Sequence, residues 1–267
     1  MIVIKIGGAV GVDLDAVCGD VAALVKNGQP VILVHGGSAE TNQLSTQLGH
    51  PPRFVTSTSG FTSRYTDRQT LEIFAMVTAG KINTLLVERL QKYGVNAFGL
   101  SGVDGRTMVA QRKEAIRIVE NGRKLMLRED YTGKIECVNG ELLALLVNAG
   151  LTPVIAPLAI SPEGDALNVD ADRAAAMVAG AVKASQLILL TNVPGLLRNF
   201  PDESSLIPFM AVKDIESALG FAEGRMKKKV LGASEALALG VGKVIFADGR
   251  LEHPVAAALE GKGTTIA

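Results

Sequence analysis

Short apolar runs rich in β-branched residues recur along the chain. Most are followed by longer stretches in which apolar positions return every three or four residues. The runs are Ile2 to Ile6, Val31 to His35, Ala97 to Leu100, Val154 to Pro157, Leu187 to Thr191 and Val244 to Ala247. Buried strands alternating with helical patterns predict a mainly parallel sheet with helices packed on its faces. Between the first two runs, Leu14, Val17, Val21, Leu24 and Val25 keep helical spacing, and Asn27-Gly28 supplies a stop. The same logic predicts helices across Leu71 to Tyr93, closed by Gly94, and from roughly Asp170 to Val182.

One stretch breaks this rhythm. From Met108 to Val138, β-type runs flank Glu120-Asn121-Gly122-Arg123, and Asn-Gly between such runs is a strong hairpin signal. An antiparallel excursion is expected there. The irregular stretch from Pro153 to Asn168 is read as the junction between two lobes, 1–165 and 166–267.

Composition narrows the function classes. With 267 residues, 48% of them hydrophobic, the chain can build a substantial core. Its 27 basic and 27 acidic residues cancel, so no general nucleic-acid surface is indicated. The two cysteines, Cys18 and Cys137, lie far apart without a His or Cys at ligand spacing, which argues against a zinc site or a disulfide framework. The chain opens directly on a strand and shows no apolar run long enough to cross a bilayer, so a cytoplasmic protein is expected.

Candidate chemistry gathers at strand ends. Lys5 sits near the end of the first run and is followed by Ile6-Gly7-Gly8, which delivers a positive charge where a buried strand opens into a glycine turn. The second run ends in His35-Gly36-Gly37-Ser38, whose glycines let backbone N–H groups face an anion. Asn168-Val169-Asp170-Ala171-Asp172 places carboxylates at a helix N-terminus, where Asp also serves as a cap. Gly224-Arg225-Met226-Lys227-Lys228-Lys229 places three lysines at the start of another helix, against the dipole preference, a conflict that an anionic ligand would resolve. Neither the P-loop pattern nor the dinucleotide glycine pattern follows a strand. His50 and His253 fall in loops without motif partners, His35 reads as a strand-end structural residue, and Ser101-Gly102 lacks a hydrolase elbow.

These motifs, with Ser63-Arg64-Tyr65-Thr66, Gly99 to Gly105, Val193-Pro194-Gly195 and Gly263-Thr264-Thr265-Ile266, resemble in their order the amino acid kinase family, acetylglutamate kinase branch, along essentially the whole chain. The resemblance implies a three-layer α/β sandwich with a mainly parallel central sheet. Its N-terminal lobe would hold a carboxylate acceptor and its C-terminal lobe ATP, with nucleotide-borne Mg2+ and no metal site of the protein's own. The γ-phosphoryl would pass directly to the carboxylate, giving an acyl phosphate.

Carried over by motif, Lys5 and Lys229 flank the transferring phosphoryl and Asp172 orients them. Gly36, Gly37, Ser38, Arg64 and Asn168 fall at substrate-binding positions, Arg64 and Asn168 gripping the α-substituents. Gly7, Gly8, Thr191, Asn192, Val193, Gly195 and Met226 fall at phosphate- and nucleotide-binding positions. The sequence departs from the common pattern at Ser38, where a third glycine is usual, at Asp170, where asparagine is frequent, and at Asn192, where an acid is usual.

Between residues 106 and 128, seven cations, Arg106, Arg112, Lys113, Arg117, Arg123, Lys124 and Arg128, face only Glu114 and Glu120. Such a patch can steer an acidic macromolecule or can simply be a solvated, charge-protected hairpin. With it, the chain is similar to the aminoadipate kinases of lysine synthesis, whose substrate rides through its amino group on a small acidic carrier protein. Arg112, Lys113, Arg117, Arg123 and Lys124 would then contact the carrier. Two alternatives stay open: a free N-acetylglutamate kinase and a non-catalytic regulatory protein. The family also implies a homodimer formed through the substrate lobe.

Overall fold

The computed structural model describes residues 1–8, 11–58, 60, 62–112, 115–120, 123–221 and 224–267. The strands in chain order are β1 (Ile2–Ile6), β2 (Val31–His35), β3 (Phe54–Ser57), β4 (Thr62–Arg64), β5 (Ala97–Ser101), β6 (Met108–Arg112), β7 (Ile116–Glu120) and β8 (Arg123–Leu127). They continue as β9 (Gly133–Val138), β10 (Thr152–Ala156), β11 (Leu158–Ile160), β12 (Ala166–Asn168), β13 (Gln186–Thr191), β14 (Phe209–Met210), β15 (Lys243–Asp248) and β16 (Thr264–Ile266). The helices are α1 (Leu14–Lys26), α2 (Ser38–Gln47), α3 (Arg68–Ala75), α4 (Asn83–Lys92), α5 (Gly140–Asn148), α6 (Ala171–Ala181), α7 (Ile215–Phe221), α8 (Gly224–Ala238) and α9 (Pro254–Leu259).

Eight strands form the central sheet in the order β14-β16-β15-β13-β1-β2-β10-β5, and only the β15–β16 pairing is antiparallel. All six strands expected from the apolar runs lie in it. Two helical layers cover its faces, and the period-two alternation of β1 separates them. Ile2, Ile4 and Ile6 pack with Val17, Val21, Leu86, Leu90 and Val255 from α1, α4 and α9. Val3 points the other way, into the cluster with Leu143, Ala174, Ala175, Val178 and Val230 from α5, α6 and α8. By the same alternation Lys5 leaves the sheet on the Val3 side, toward α6. The expected three-layer fold is the observed one. One sheet serves both expected lobes, since β1 pairs β13 directly.

The antiparallel excursion is present and divides between two small sheets. Strands β7 and β8 form the hairpin and continue as β4-β3-β7-β8, whereas β6 and β9 join β11 and β12. The turn residues Asn121 and Gly122 lie outside the described residues. Strands β3, β4, β11, β12, β14 and β16 were not expected from the sequence. Each has two to four residues, too short for a periodic signal.

The helix expected from Leu71 to Tyr93 starts earlier, at Arg68, capped by the Asp67 side chain on the Thr70 amide. Its middle, Met76–Ile82, is π-helical. At 25 residues, Arg68–Lys92 is also long and apolar enough to meet the length and composition of a membrane span, contrary to expectation. Part of its apolar surface is used internally, while Met76 and Leu85 are exposed. Leu71 and Phe74 pack with Leu158, and Leu86 and Leu90 pack under the central sheet.

Candidate phosphoryl-transfer site

Three strands and two helices converge at the C-terminal edge of the central sheet. Helix α6 begins at Ala171, and its N-cap Asp170 accepts from the amides of Asp172 at 3.0 Å and Arg173 at 3.1 Å. The cap is therefore Asp170, which leaves the Asp172 carboxylate for other work. Lys5 Nζ lies 2.7 Å from Asp172 Oδ1, and Lys229 Nζ, on the first half of α8, lies 2.9 and 3.0 Å from the two carboxylate oxygens. Helix α8 passes close to the start of α6 at Gly232, where a Cβ would make ordinary van der Waals contact with the Asp172 backbone at 3.5 Å.

All three groups are withdrawn from water, with side chains 5, 13 and 14% exposed for Lys5, Asp172 and Lys229. Burial alone would raise the Asp172 carboxyl, but Lys5 and Lys229 outweigh it and hold the group far below the usual carboxylate range. Burial, then the neighbouring Lys5 charge, lowers the Lys229 ammonium, and Asp172 opposes them. Two ammonium groups on one carboxylate leave one net positive charge.

The glycine turns after β1 and β2 touch each other. A Cβ on Gly8 would fall 2.5 Å from the Gly37 nitrogen, and one on Gly36 would fall 2.8 Å from the Gly8 nitrogen. Only residues without side chains permit this crossing, which brings the two backbone cradles together beside Lys5. Ser38 begins α2, and its carbonyl accepts from Arg64 Nη2 at 3.3 Å. Arg64 is buried at the end of β4 with its guanidinium over the Phe54 ring. Asn168 ends β12, and its amide donates to Thr66 Oγ1 at 3.0 Å. The Thr66 hydroxyl in turn donates to the Arg64 carbonyl at 3.3 Å, so one short chain of bonds ties Arg64 and Asn168 across two sheets, and the Thr66 amide donates to the buried Asp130 carboxylate.

The residues expected at phosphate- and nucleotide-binding positions follow β1, end or follow the neighbouring β13, or lie on α8. Thr191 ends β13, and its hydroxyl both accepts from the Val193 amide and donates to the Val193 carbonyl, closing the turn, while Asn192 is exposed. Gly195 is buried, where a Cβ would meet Leu206 and Thr264 at 2.7 Å, so its requirement is one of packing. Met226 is half-buried on α8 against the main core. Gly7 packs against the Leu190 carbonyl.

Of the cations expected to meet a carrier, Arg117, Arg123 and Lys124 are exposed, and Lys113 lies outside the described residues. Arg112 is engaged internally: it stacks 3.7 Å over the Tyr131 ring, donates to the Asp130 carbonyl and pairs with Asp165 at 3.3 Å. The two histidines read as loop residues without motif partners make structural hydrogen bonds. His50 bonds Asp67 and Thr70, and His253 bonds the buried Asp20, which also accepts from the first amides of α9.

Sequence reasoning missed the clamp between Arg173 and Glu235, a bidentate pair joining α6 to α8 beside the Asp172–Lys229 contact. It also missed Lys228, whose ammonium donates to the Thr62 carbonyl at 2.6 Å and ties α8 to β4. Neither has a local signal, because each depends on how distant elements cross.

Comparison with known proteins agrees with this geometry. The description "Amino acid kinase family" matches residues 1–248. A LysW-aminoadipate kinase from Deinococcus radiodurans is 58% identical over 266 residues, covering all of this chain and 91% of that protein. One of the same name from Thermus thermophilus is 53% identical, with both chains covered in full. Among solved structures, N-acetylglutamate synthase from Neisseria gonorrhoeae, complexed with coenzyme A and N-acetyl-glutamate, superposes with a TM-score of 0.82 at 25% identity. That match covers all of this chain and 59% of the larger one.

Proposed function

This chain belongs to the amino acid kinase family, and from that membership we propose the reaction it carries out. It transfers the ATP γ-phosphoryl to the side-chain carboxylate of α-aminoadipate held through its amino group on an acidic carrier protein. The product is an acyl phosphate in lysine biosynthesis.

The observation that carries this reading is the junction of Lys5, Asp172 and Lys229 beside the crossed glycine turns. A carboxylate and a triphosphate repel each other, so bringing them into line needs fixed cations and backbone donors already in place. The acceptor is ionised at neutral pH, and no general base is required. Lys5 and Lys229 face the bridging and equatorial oxygens, the Gly8 and Gly37 amides donate to charge that grows during transfer, and Asp172 keeps the two ammonium groups apart and charged. Magnesium arrives with the nucleotide; Asp172, taken up by two lysines, is not offered to it. Arg64 and Asn168 hold the acceptor's far end.

The carrier docks on the β7–β8 hairpin. Cross-strand register places Arg117 opposite Met126 and Val119 opposite Lys124, so two cations and two exposed apolar side chains share one face. Arg64 lies on the same side through β3, where Phe54 pairs it and Thr56 pairs Val119. A homodimer accompanies this reading.

Hydroxylamine trapping of the acyl phosphate tests it with three acceptors: carrier-bound aminoadipate, carrier-bound glutamate and free N-acetylglutamate. The first is expected to give the highest kcat/KM. Preference for the free acid would move the protein to arginine synthesis, and no hydroxamate from any acceptor would make it a binding protein. The double change Arg117→Glu and Lys124→Glu, which spares Arg112, is expected to raise carrier KM and leave ATP KM within about 2-fold. Wild-type carrier KM should climb with salt as the Debye length falls from about 10 Å at 0.1 M to about 3 Å at 1 M.

A further inference from the structure

One buried polar chain near the site has no part in the reaction as described so far. His35 ends β2 and is 1% exposed, so both ring nitrogens must be satisfied inside the protein. Its Nδ1 lies 3.0 Å from the Gly36 carbonyl and its Nε2 lies 3.1 Å from Asn83 Nδ2. Asn83 Nδ2 also donates to the Val154 carbonyl at 2.9 Å. That second bond fixes the amide, because a carbonyl can only be met by the NH2 side. Asn83 therefore donates to Nε2, Nε2 accepts, and the proton must sit on Nδ1, from which it is donated to Gly36.

The carbonyl it meets belongs to the peptide whose N–H is that of Gly37. The other groups around this peptide are already committed. Gly36 N donates to the Ile6 carbonyl at 3.0 Å, and the Gly37 carbonyl accepts from the Thr41 amide and hydroxyl at 2.9 and 2.8 Å. The Gly37 amide itself makes no backbone hydrogen bond among the described residues, and it lies against Gly8 in the crossed turns.

The far end of the chain is held as firmly. Asn83 is the first residue after the π-helical segment, and the same segment presses Thr78 and Ile82 against Gly37, where a Cβ would meet them at 2.7 and 2.9 Å. Gly99 of β5 leaves room for the Asn83 carboxamide oxygen, which any side chain at 99 would strike.

We propose that His35 and Asn83 are positioning residues for phosphoryl transfer: the imidazole, held by Asn83, donates to the Gly36 carbonyl and so aims the Gly37 N–H at the reacting oxygens. This rests on the kinase reading above, in which the Gly37 amide stabilises charge that develops during transfer. A donor of that kind acts only when preorganised, and a tilted peptide plane would lower kcat more than it raises either KM. Burial lowers the imidazole to about 4, the bond to Gly36 works against that shift and the nearby Lys5 charge reinforces it, so the ring is neutral at neutral pH.

Replacement of the ring by its two amide mimics separates aiming from packing. Asparagine at 35 puts an N–H near the imidazole Nδ1 position, whereas glutamine puts it near Nε2. His35→Asn is expected to keep kcat within about 5-fold of wild type. His35→Gln and Asn83→Ala are expected to lose about 10- to 100-fold in kcat with both KM values changed less than about 3-fold. Outright removal of one oxyanion donor costs more, about 10²- to 10³-fold, because here the donor is tilted and not removed. Equal kcat in H35N and H35Q, or losses confined to melting temperature, would overturn the proposal. Should H35Q fail to fold, nitrogen-15 NMR of wild-type His35 decides: protonated Nδ1 and bare Nε2 are expected, and the opposite tautomer would overturn it. If wild type forms no hydroxamate from any acceptor, the kinase reading has failed, and the tautomer measurement still tests the geometry by itself.

Discussion

Asp172→Asn removes one negative charge and almost no volume, which makes it a direct test of the junction. The carboxylate lies 2.7 to 3.0 Å from two ammonium groups, and none of the three side chains is more than 14% exposed, so water screens the contacts weakly. Breaking a buried ion pair by neutralising one partner costs about 3–5 kcal/mol, because the remaining charge stays buried without its counter-charge. Here two cations are left facing each other. Lys229, already lowered by burial and by Lys5, loses the group that opposes both. With Asp172 neutral, burial and the Lys5 charge move the Lys229 ammonium further down. The alkaline limb of kcat is expected to shift to lower pH, and kcat at pH 8 to fall at least about 100-fold. Rates of hydroxamate formation from pH 6 to 10, with urea unfolding of the same protein, measure both effects. An alkaline limb at its wild-type position, or a kcat within about 3-fold, would refute the assignment of Asp172 as the group that keeps the lysines charged.

Lys5→Ala and Lys229→Ala are each expected to cut turnover by at least about 100-fold in a folded protein, and near-normal turnover of folded Lys229→Ala would remove its role. Arg64→Lys exchanges a planar fork for a point charge and should raise acceptor KM far more than ATP KM; equal damage to both would mean that Arg64 does not hold the acceptor. Unfolding free energy should show two acid windows. His35 is depressed from 6.5 to about 4 in the fold, so its contribution is complete above 6.5 and is lost as pH falls toward 4, about 3 kcal/mol in all. Asp172 is depressed from its ordinary value of 3.8, so its contribution begins to fade only below that pH. A wild-type profile flat between pH 6.5 and 4.5, or one unchanged in His35→Asn, would contradict the first window.

Much of this was legible because strands and glycine turns advertise themselves locally. The β-branched runs located the core strands of the central sheet, and period-two alternation is enough to send Lys5 to the side where α6 lies. Asp172 was harder to separate from Asp170, since both suit a helix start; only in the fold does Asp170 cap the helix and Asp172 meet two lysines. Arg112 looked like one more cation in a basic hairpin, yet it stacks on Tyr131 and pairs with Asp165, 53 residues further along the chain. Partners that distant leave no local trace. The same holds for His35, whose bond to Asn83 spans 48 residues, and for Arg173 with Glu235.

The π-helical turn in the middle of Arg68–Lys92 acts as a change of phase. In an uninterrupted α-helix each residue advances the azimuth by about 100°, so one stripe of side chains serves one core. This rod serves two: its first half gives Leu71 and Phe74 to the cluster around Leu158, and its second half gives Leu86 and Leu90 to the underside of the central sheet. Residues 76–82 absorb the angular offset between them, and the offset also brings Asn83 to His35. A one-residue deletion there would rewind the rod into an ordinary helix and lock its halves to a single heading. Either the small sheet bearing Asn168 or the large sheet bearing Lys5 could then be docked correctly, and the alignment of acceptor grip with phosphoryl clamp would be the property lost.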